Sequence, residues 1–284
     1  MEMGLFQTLN LPPELLERQK QYMAMSYEQR LQADCDSFNA VPGNLTGYDC
    51  PKCLNRGGSY AVLDGTIVFY ECSCIKLRES LERIRKSGLS GLLDRYRFDT
   101  YEVSEPWQQK IKQSAMDYVE HHNGRWFFIG GQVGAGKTHI CTAVVSALMA
   151  QGRSARYMLW QDEIKKLKAA ANEPEYNNQM DALKTVEVLY IDDLFKPVRW
   201  YDVRTGSHRV SNPTEADIRI TYELLNHRYM DKRLITLFSC ELGVADILEI
   251  DQASGSRIYE RTKGFCNQIA NDERRNYRLR ELRL

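Results

Sequence analysis

Residues 126–138 read Trp126-Phe127-Phe128-Ile129-Gly130-Gly131-Gln132-Val133-Gly134-Ala135-Gly136-Lys137-Thr138, and the residues after them have a helical pattern. An apolar run of strand type therefore breaks into glycines and resumes as a helix. The segment from Gly131 to Thr138 matches the G-x-x-x-x-G-K-[ST] template of the phosphate-binding P-loop, in the strand-to-helix context that the template needs. A glycine-rich turn with a chance Lys-Thr pair is the alternative, which the flanking strand and helix make much weaker. The sequence predicts a protein that binds ATP or GTP.

Each residue type in this segment has a chemical reason. Glycines allow backbone N–H groups to turn toward phosphate oxygens, and the helix N-terminus adds its positive dipole end. Lys137 is expected to reach the β- and γ-phosphates, and Thr138 is expected to hold Mg²⁺. The other residues predicted to contact the nucleotide are Gly131, Gly134, Gly136 and His139.

The composition is that of an ordinary soluble globular protein, with 284 residues, 43% of them apolar and 27% charged. This length accommodates one nucleotide-binding domain and a smaller appendage. The formal net charge is zero, so any contact with nucleic acid must come from local patches. There is no run of about 18 apolar residues to predict a membrane span, and the first residues lack the features of a secretory signal. We expect a cytoplasmic protein, in which cysteines are unpaired or bound to metal.

Two polar helices are predicted before the first cysteine pair, between residues 11 and 39. Pro12 and Pro13 precede the start of the first helix, and Ser26 with Gln29 resembles a capping box at the start of the second. The two helices could form a surface hairpin packed on the rest of the chain or a docking arm for a partner. The sequence favours neither.

Four cysteines lie in two close pairs, Cys50 with Cys53 and Cys72 with Cys74. Between the pairs, two short β-type runs flank a turn at Asp64-Gly65 and predict a hairpin. Paired cysteines on turns bridged by short strands are typical of a zinc ribbon, in which four thiolates surround Zn²⁺ tetrahedrally. The C-x-C spacing of the second pair departs modestly from the commonest pattern. Disulfides are the alternative, and the expected cytoplasmic location argues against them.

A basic helical pattern follows from Ile75 to Lys86, and a solvated face is a commoner role for such a pattern than contact with nucleic acid. Residues 87–91 contain two glycines and interrupt the pattern. We place a domain boundary there. Residues 1–86 would form an N-terminal region of helices and zinc ribbon for partner docking, and residues 92–284 an ATPase domain. Strands alternate with helices in the second domain, which predicts a parallel α/β sheet covered on both faces.

Candidate catalytic groups follow the later strands. The apolar strand 186–191 leads into Asp192-Asp193, as expected for a Walker B motif, where Asp192 would serve Mg²⁺ and Asp193 would polarise the attacking water. Glutamate is commoner than aspartate at the second place, so slow hydrolysis is expected. Ser239 ends the next strand and would contact the γ-phosphate or position the attacking water, or else it would only cap a turn. Arg257 and Arg261 lie on one helical face, and arginine is well suited to bind phosphate bidentately.

The connection from Lys196 to Ser211 is long and combines cations with rings. It contains Lys196, Arg199, Trp200, Tyr201, Arg204, His208 and Arg209 against one acid, Asp202. Cations that follow phosphates, beside rings that stack on bases, are what sequence-neutral binding of single-stranded DNA needs. Packing of the same rings on the domain or on a neighbouring subunit is an equally good interpretation.

In their order along the chain, these motifs resemble those of bacterial and phage helicase loaders of the DnaC/DnaI type, within the AAA+ ATPases. The resemblance covers the chain from Cys50 onward. It rests on the cysteine ribbon, Lys86-Ser87-Gly88-Leu89, the P-loop segment, Leu189-Tyr190-Ile191-Asp192-Asp193-Leu194, Gly255-Ser256-Arg257-Ile258-Tyr259-Glu260-Arg261-Thr262-Lys263-Gly264 and Asn276-Tyr277-Arg278.

The resemblance implies an ATPase that delivers a hexameric replicative helicase onto single-stranded DNA. It implies an AAA+ core with little or no helical lid, in which Ser239 takes the place of sensor 1 and Arg278 that of sensor 2. Arg261, with Arg257 beside it, takes the region of the arginine finger. Because a finger completes a neighbour's site, the subunits would associate in a ring or spiral with ATP between them.

Two other functions stay open. A transposition-type AAA+ regulator, which forms ATP-dependent filaments on DNA, shares these motifs, although the N-terminal ribbon favours the loader. A zinc-ribbon adaptor could instead use ATP as a switch with negligible turnover.

Overall fold

The structure is a computed structural model of the chain, and it describes residues 12–84 and 90–282. Its contacts divide the chain into two compact units, Met1–Ile75 and Lys76–Leu284. The predicted boundary at residues 87–91 and the Lys86-Ser87-Gly88-Leu89 segment lie mostly outside the described residues. The contacts group the basic helix before that boundary with the larger unit.

The smaller unit combines two helices with one hairpin. Helix α1 spans Pro13–Ala24 and α2 spans Tyr27–Ala40, with the predicted capping box of Ser26 and Gln29 at the start of α2. Strands β1 (Gly58–Leu63) and β2 (Thr66–Glu71) pair antiparallel. Asn39 joins α2 to the hairpin, because its side-chain amide donates to the Tyr60 carbonyl and accepts from the Tyr60 N–H. Both predicted helices and the predicted hairpin are confirmed.

A parallel sheet is the centre of the larger unit. The strands of this unit are β3 (Phe127–Gly131), β4 (Ala155–Leu159), β5 (Val188–Asp192), β6 (Val198–Asp202), β7 (Ser207–Ser211), β8 (Ile235–Ser239) and β9 (Cys266–Ile269). Apart from β6 and β7, they form one five-stranded sheet in the order β4-β5-β8-β3-β9, with every neighbouring pair parallel. Strands β3, β5 and β8 are buried along their whole length, so the core lies around them and their carboxyl ends meet at one edge of the sheet.

Helices alternate with these strands and cover the sheet. They are α3 (Cys74–Ile84), α4 (Ser90–Arg95), α5 (Pro106–His121), α6 (Lys137–Ala150), α7 (Trp160–Ala169), α8 (Pro174–Thr185), α9 (Glu215–Met230), α10 (Val244–Ile250) and α11 (Gln252–Arg261), followed by 3-10 turns at Glu273–Arg275 and Tyr277–Leu282. The predicted parallel α/β fold is confirmed. Within the described ranges, no helix has the length and apolar character to cross a membrane.

The structure differs from the sequence prediction at three elements. Helix α8 is not predicted, because its mostly polar sequence shows little periodicity. The segment Asn212-Pro213-Thr214-Glu215 predicts a helix N-cap at Asn212, whereas α9 is capped two residues later, at Thr214. The Thr214 hydroxyl accepts from the Asp217 N–H, and the Asp217 carboxylate accepts from the Thr214 N–H. The connection after β5, predicted as a loop, is a hairpin in which β6 and β7 pair antiparallel.

Candidate nucleotide-binding site

The P-loop joins β3 to α6, and three of its glycines have left-handed backbone. The φ angles are 103° at Gly131, 71° at Gly134 and 86° at Gly136, which caps α6. A Cβ at Gly131 would lie 1.9 Å from the Ile269 carbonyl oxygen, and one at Gly134 would lie 1.9 Å from Asn276 Oδ1. Both the backbone conformation and the packing therefore require glycine at these positions.

Lys137 is folded back onto the loop that precedes it. Its ammonium donates to the carbonyl oxygens of Gly131, at 2.7 Å, and Gln132, at 2.8 Å. Burial lowers the pKa of this lysine. A buried cation held by two neutral carbonyl acceptors is placed to exchange them for an anionic ligand.

Asp192, at the end of β5, collects hydroxyl groups from three other elements. Its carboxylate accepts from Thr138 Oγ1 at 3.4 Å, from the Tyr157 hydroxyl at 3.2 Å and from the Ser239 hydroxyl. The Tyr190 hydroxyl lies 2.9 Å from Ser239 Oγ and extends the network. Burial raises the pKa of Asp192. The predicted site residues Thr138 and Ser239 therefore meet at Asp192, and Tyr157 of β4 is a member of the site that sequence reasoning missed.

Asp193 follows in a left-handed conformation, with φ of 55°. Its N–H donates to the Ser239 carbonyl at 2.8 Å, which joins the ends of β5 and β8. Its carboxylate faces the ammonium of Lys196, with Nζ 3.0 Å from Asp193 Oδ2. The same Nζ lies 3.0 Å from Oε1 of Glu241. Neither Lys196 nor Glu241 is predicted from the sequence as a member of this site.

Asp193, Lys196 and Glu241 border a cavity of about 660 Å³, whereas Gly131 and Ser239 do not line it. Predicted residues that line it are Gly134, Gly136, Lys137, Thr138, His139, Asp192, Asp193 and Arg278. At one wall the rings of Tyr96 and His139 stack, with centroids 4.6 Å apart and planes 15° from parallel. His139 Nε2 also lies 2.9 Å from the Arg97 carbonyl, and burial lowers the pKa of this histidine. The cavity thus has a polar end at the P-loop and an aromatic wall.

The segment that carries Arg278 packs against the P-loop. The Tyr277 N–H donates to the Gly134 carbonyl at 3.0 Å, and the Tyr277 hydroxyl contacts the side-chain amide of Gln108. Arg278, predicted at the place of sensor 2, lines the cavity as a result.

Arg257 and Arg261 do not line this cavity. Arg261 is 8% exposed, and its guanidinium donates to the carbonyl oxygens of Tyr229 and Gly124, both at 2.6 Å, and more weakly to those of Leu234 and Arg228, at 3.1 and 3.4 Å.

The neighbouring arginine, Arg257, is less buried than Arg261. Arg257 is partly exposed. It donates to Asn226 Oδ1 at 3.1 Å and to the Ala253 carbonyl at 2.8 Å, and its guanidinium lies 5.0 Å from the ring centroid of Tyr222. The two predicted finger residues therefore occupy different environments.

The four paired cysteines converge in the smaller unit. Their sulfur atoms lie within 4.8 Å of one another, with 3.7 Å between Cys50 and Cys72 and 3.5 Å between Cys53 and Cys74. Tetrahedral thiolate ligands at the usual Zn–S distance are about 3.8 Å apart, so the cluster fits a zinc ion. Although burial acts to raise the pKa of Cys53, hydrogen bonds from the Gly57 backbone and the other thiols lower it to about 6. A thiolate is the form that binds metal.

A glycine-lined phosphate loop at the end of β3, an acidic pair at the end of β5 and a serine at the end of β8 define a P-loop nucleotide-binding domain. A family model described as "IstB-like ATP binding protein" matches residues 59–199. The phage-like element PBSX protein XkdC of Bacillus subtilis is 31% identical over 224 residues, which are 75% of this chain and 79% of that protein. The chain belongs to the family of IstB- and DnaC-like ATP-binding proteins.

Two further similarities concern helicase loaders. The replicative helicase loader DnaI of B. subtilis is 22% identical over 235 residues, which are 76% of this chain and 69% of that protein. The crystal structure of the DnaC helicase loader aligns with a TM-score of 0.50 at 16% identity, over 62% of this chain and 97% of that chain. The second similarity shows a shared fold, so the predicted AAA+ architecture is confirmed.

Proposed function

We propose that this protein is an ATP-dependent loader that binds a hexameric replicative DNA helicase and delivers it onto single-stranded DNA. The observation that carries the proposal is the alignment with the replicative helicase loader DnaI over 235 residues. A complete P-loop site in the larger unit supports it, because a loader needs a nucleotide to control its hold on a partner.

The nucleotide site supports a division of roles among its residues. The N–H groups of the P-loop and the Lys137 ammonium would bind the β- and γ-phosphates once Lys137 leaves its two carbonyl acceptors. Thr138 and Asp192 have oxygen atoms 3.4 Å apart beside the P-loop, and hard oxygen ligands of this kind suit Mg²⁺. When bound, Mg²⁺ would offset the charge of the phosphates. Tyr157 and Ser239 would hold the Asp192 carboxylate in place for it.

Hydrolysis would depend on Asp193 and Arg278. Asp193 lies one residue beyond the Mg²⁺ ligand, with its carboxylate on the cavity, and would orient the attacking water. Arg278 lines the cavity from the side of the P-loop and would contact the phosphates. Since the Ser239 hydroxyl already contacts Asp192 and Tyr190, we assign it to holding Asp192 rather than to the γ-phosphate.

Self-association into a ring or spiral remains part of the proposal, with an arginine reaching the ATP of a neighbour. Of the two predicted fingers, Arg257 is the better placed, because its partly exposed guanidinium can leave its contacts without opening the core. Arg261 would have to abandon buried carbonyl groups at the start of β8 and before β3. We therefore propose Arg257, rather than Arg261, as the arginine finger.

The smaller unit would dock the helicase, with a structural Zn²⁺ held by Cys50, Cys53, Cys72 and Cys74. The zinc would replace the large hydrophobic core that so short a segment lacks. The exposed helices α1 and α2 precede this ribbon and belong to the same docking region.

A loading assay tests the proposal. Purified protein is mixed with candidate replicative helicases and a circular single-stranded DNA, with ATP, with ADP or without nucleotide, and helicase retained on the circle is measured. We expect ATP-dependent retention that Lys137→Ala abolishes. Failure to bind any replicative helicase in pull-downs, with or without ATP, would refute the loader.

The match to the IstB-like family model favours one second candidate, a transposition-type regulator that forms filaments on DNA. That function predicts ATP-dependent filaments on duplex DNA without a helicase, which electron microscopy would reveal. If neither filaments nor loading occur and ATP turnover is negligible, an adaptor that uses ATP as a switch would explain the site.

A further inference from the structure

Lys196 places one ammonium between two carboxylates at the edge of the nucleotide cavity. Its Nζ is 3.0 Å from Asp193 Oδ2 and 3.0 Å from Glu241 Oε1. Asp193 follows β5 and Glu241 follows β8, so one side chain connects the ends of two adjacent strands. All three residues line the cavity that also contains the P-loop lysine Lys137.

The backbone around Lys196 holds this side chain in position. The Lys196 N–H donates to the Asp193 carbonyl at 3.1 Å, and its own carbonyl accepts from Gln161 Nε2 at 2.8 Å. The preceding residue, Phe195, has a φ of 53° and is fully buried, with its ring edge-on to Trp160 at 5.3 Å. A buried phenylalanine in left-handed backbone is uncommon, and its packing sets the direction in which the chain leaves the site.

The charges at this end of the cavity explain why a cation is needed. Asp192 would be balanced by the Mg²⁺ that it binds, whereas Asp193 and Glu241 would both face the terminal phosphate of a bound triphosphate. Two carboxylates beside an anion are repulsive, and inside a partly buried cavity this repulsion is only weakly screened. A nucleoside diphosphate lacks the terminal phosphate, so the repulsion from the two carboxylates affects it less.

We propose that Lys196 is the residue by which this site distinguishes a nucleoside triphosphate from a diphosphate. Its ammonium neutralises Asp193 and Glu241 and donates to the terminal phosphate when one is present. Lys196 is thus a specificity residue distinct from Lys137 of the P-loop. The inference rests on ATP binding at this cavity and on neither hydrolysis nor helicase loading.

The test is calorimetric titration of the full chain with the non-hydrolysable triphosphate AMPPNP and with ADP, both with Mg²⁺. Lys196→Met should weaken AMPPNP binding roughly tenfold, the effect of one charge a few ångströms away at intermediate dielectric. ADP affinity should stay within about twofold, because the β-phosphate is held by the P-loop. Lys196→Arg should recover most of the AMPPNP affinity. Lys184→Met is the matched control, since Lys184 pairs with Glu223 outside the cavity and should change neither affinity.

Glu241→Gln separates the proposed role from a purely structural one. If Lys196 acts through its charge, removal of Glu241 leaves the ammonium in place and AMPPNP binds at least as tightly as before. If the bridge only fastened two strand ends, Glu241→Gln would mimic Lys196→Met, and this result would overturn the proposal. An equal loss of AMPPNP and ADP affinity in Lys196→Met would overturn it as well.

Two checks keep the result interpretable. Circular dichroism melting should show that Lys196→Met folds as the parent does, and Lys196→Gln serves as a second neutral variant if it does not. A parent protein that binds AMPPNP but loads no helicase would refute the loader and leave this inference standing. A parent that binds neither nucleotide would refute both.

Discussion

Replacement of Arg261 by methionine should destabilise the larger unit rather than only impair hydrolysis between subunits. Arg261 is 8% exposed, and the carbon of its guanidinium lies 4.9 Å from the ring centroid of Trp126. Methionine retains much of the apolar volume but donates no hydrogen bond. The two shortest bonds lost are those to the carbonyls of Tyr229 and Gly124, both 2.6 Å long.

The size of the effect follows from the groups left behind. A hydrogen bond to a charged donor contributes about 1.5–3 kcal/mol, and a buried carbonyl left without a partner costs about 1–3 kcal/mol. Carbonyls near the surface can turn to water, and part of the cost of burying the guanidinium is recovered in the variant. We expect a net loss of about 3–5 kcal/mol in the free energy of unfolding, a large part of the ~5–15 kcal/mol typical of a whole domain.

The measurement is urea unfolding followed by tryptophan fluorescence, because Trp126 lies beside the substituted side chain in the larger unit. Arg257→Met is the matched control on the same helix, and its partly exposed, less buried contacts predict a loss of about 1 kcal/mol or less. An Arg261→Met protein within about 0.5 kcal/mol of the parent would refute the structural role.

Hydrolysis then gives a second comparison: mixing with Lys137→Ala protein should restore activity to Arg257→Ala, as expected of a finger acting in trans. Recovery by Arg261→Ala instead would return the finger role to Arg261.

Three other predictions concern the sites described above. Lys137→Ala should abolish tight ATP binding, whereas Asp193→Asn should retain binding and lose turnover. The reason is that Lys137 contacts the phosphates in the ground state, whereas Asp193 acts on the attacking water. Nucleotide titration measures the binding, and phosphate release measures the turnover. Metal analysis should find about one zinc per chain. In Cys50→Ser, both the zinc and the folded structure of the N-terminal unit should be lost. The double variant Trp200→Ala, Arg204→Ala should weaken single-stranded DNA binding and flatten its salt dependence, without changing ATP affinity.

Each of these has a result that contradicts it. Equal loss of ATP binding in both nucleotide-site variants would show that Asp193 holds the nucleotide rather than the water. Zinc-free purified protein, or a Cys50→Ser variant with unchanged metal content, would contradict the proposed zinc site. Unaltered DNA affinity across a salt titration would place the DNA contact outside the β6–β7 hairpin, and the basic helix α3 would be tested next.

The features that sequence alone predicts are those whose chemistry is local. The P-loop is recognisable because Gly131, Gly134 and Gly136 need positive φ within six residues of chain, and the structure has all three. The cysteine pairs are also recognisable, since the members of each pair are close in sequence and the antiparallel hairpin between the pairs brings them together. Apolar runs also locate the core strands to within about two residues, because a parallel strand buried on both faces must be apolar throughout.

The members of the site that sequence reasoning missed come together through strand order. Tyr157 reaches Asp192 because β4 pairs with β5, in register so that Leu159 lies opposite Asp192. Glu241 reaches Lys196 because β8 pairs with β5 on the other side. The sequences of these strands do not show which of them pair. Glu241, which follows β8, therefore gives no indication that it will meet Lys196, which follows β5.

The helical spacing of Arg257 and Arg261 does not show which of the two is available for a functional role. They are four residues apart on one helical face, so their spacing assigns them the same role, and both carry the side chain that phosphate recognition favours. What separates them is the last turn of α11, where Arg261 faces the residues that immediately precede β3 and β8. There the guanidinium donates to the carbonyl oxygens of Gly124 and Leu234. Arg261 could enter a neighbour's active site only by giving up these bonds, so Arg257 is the residue that we propose for the finger.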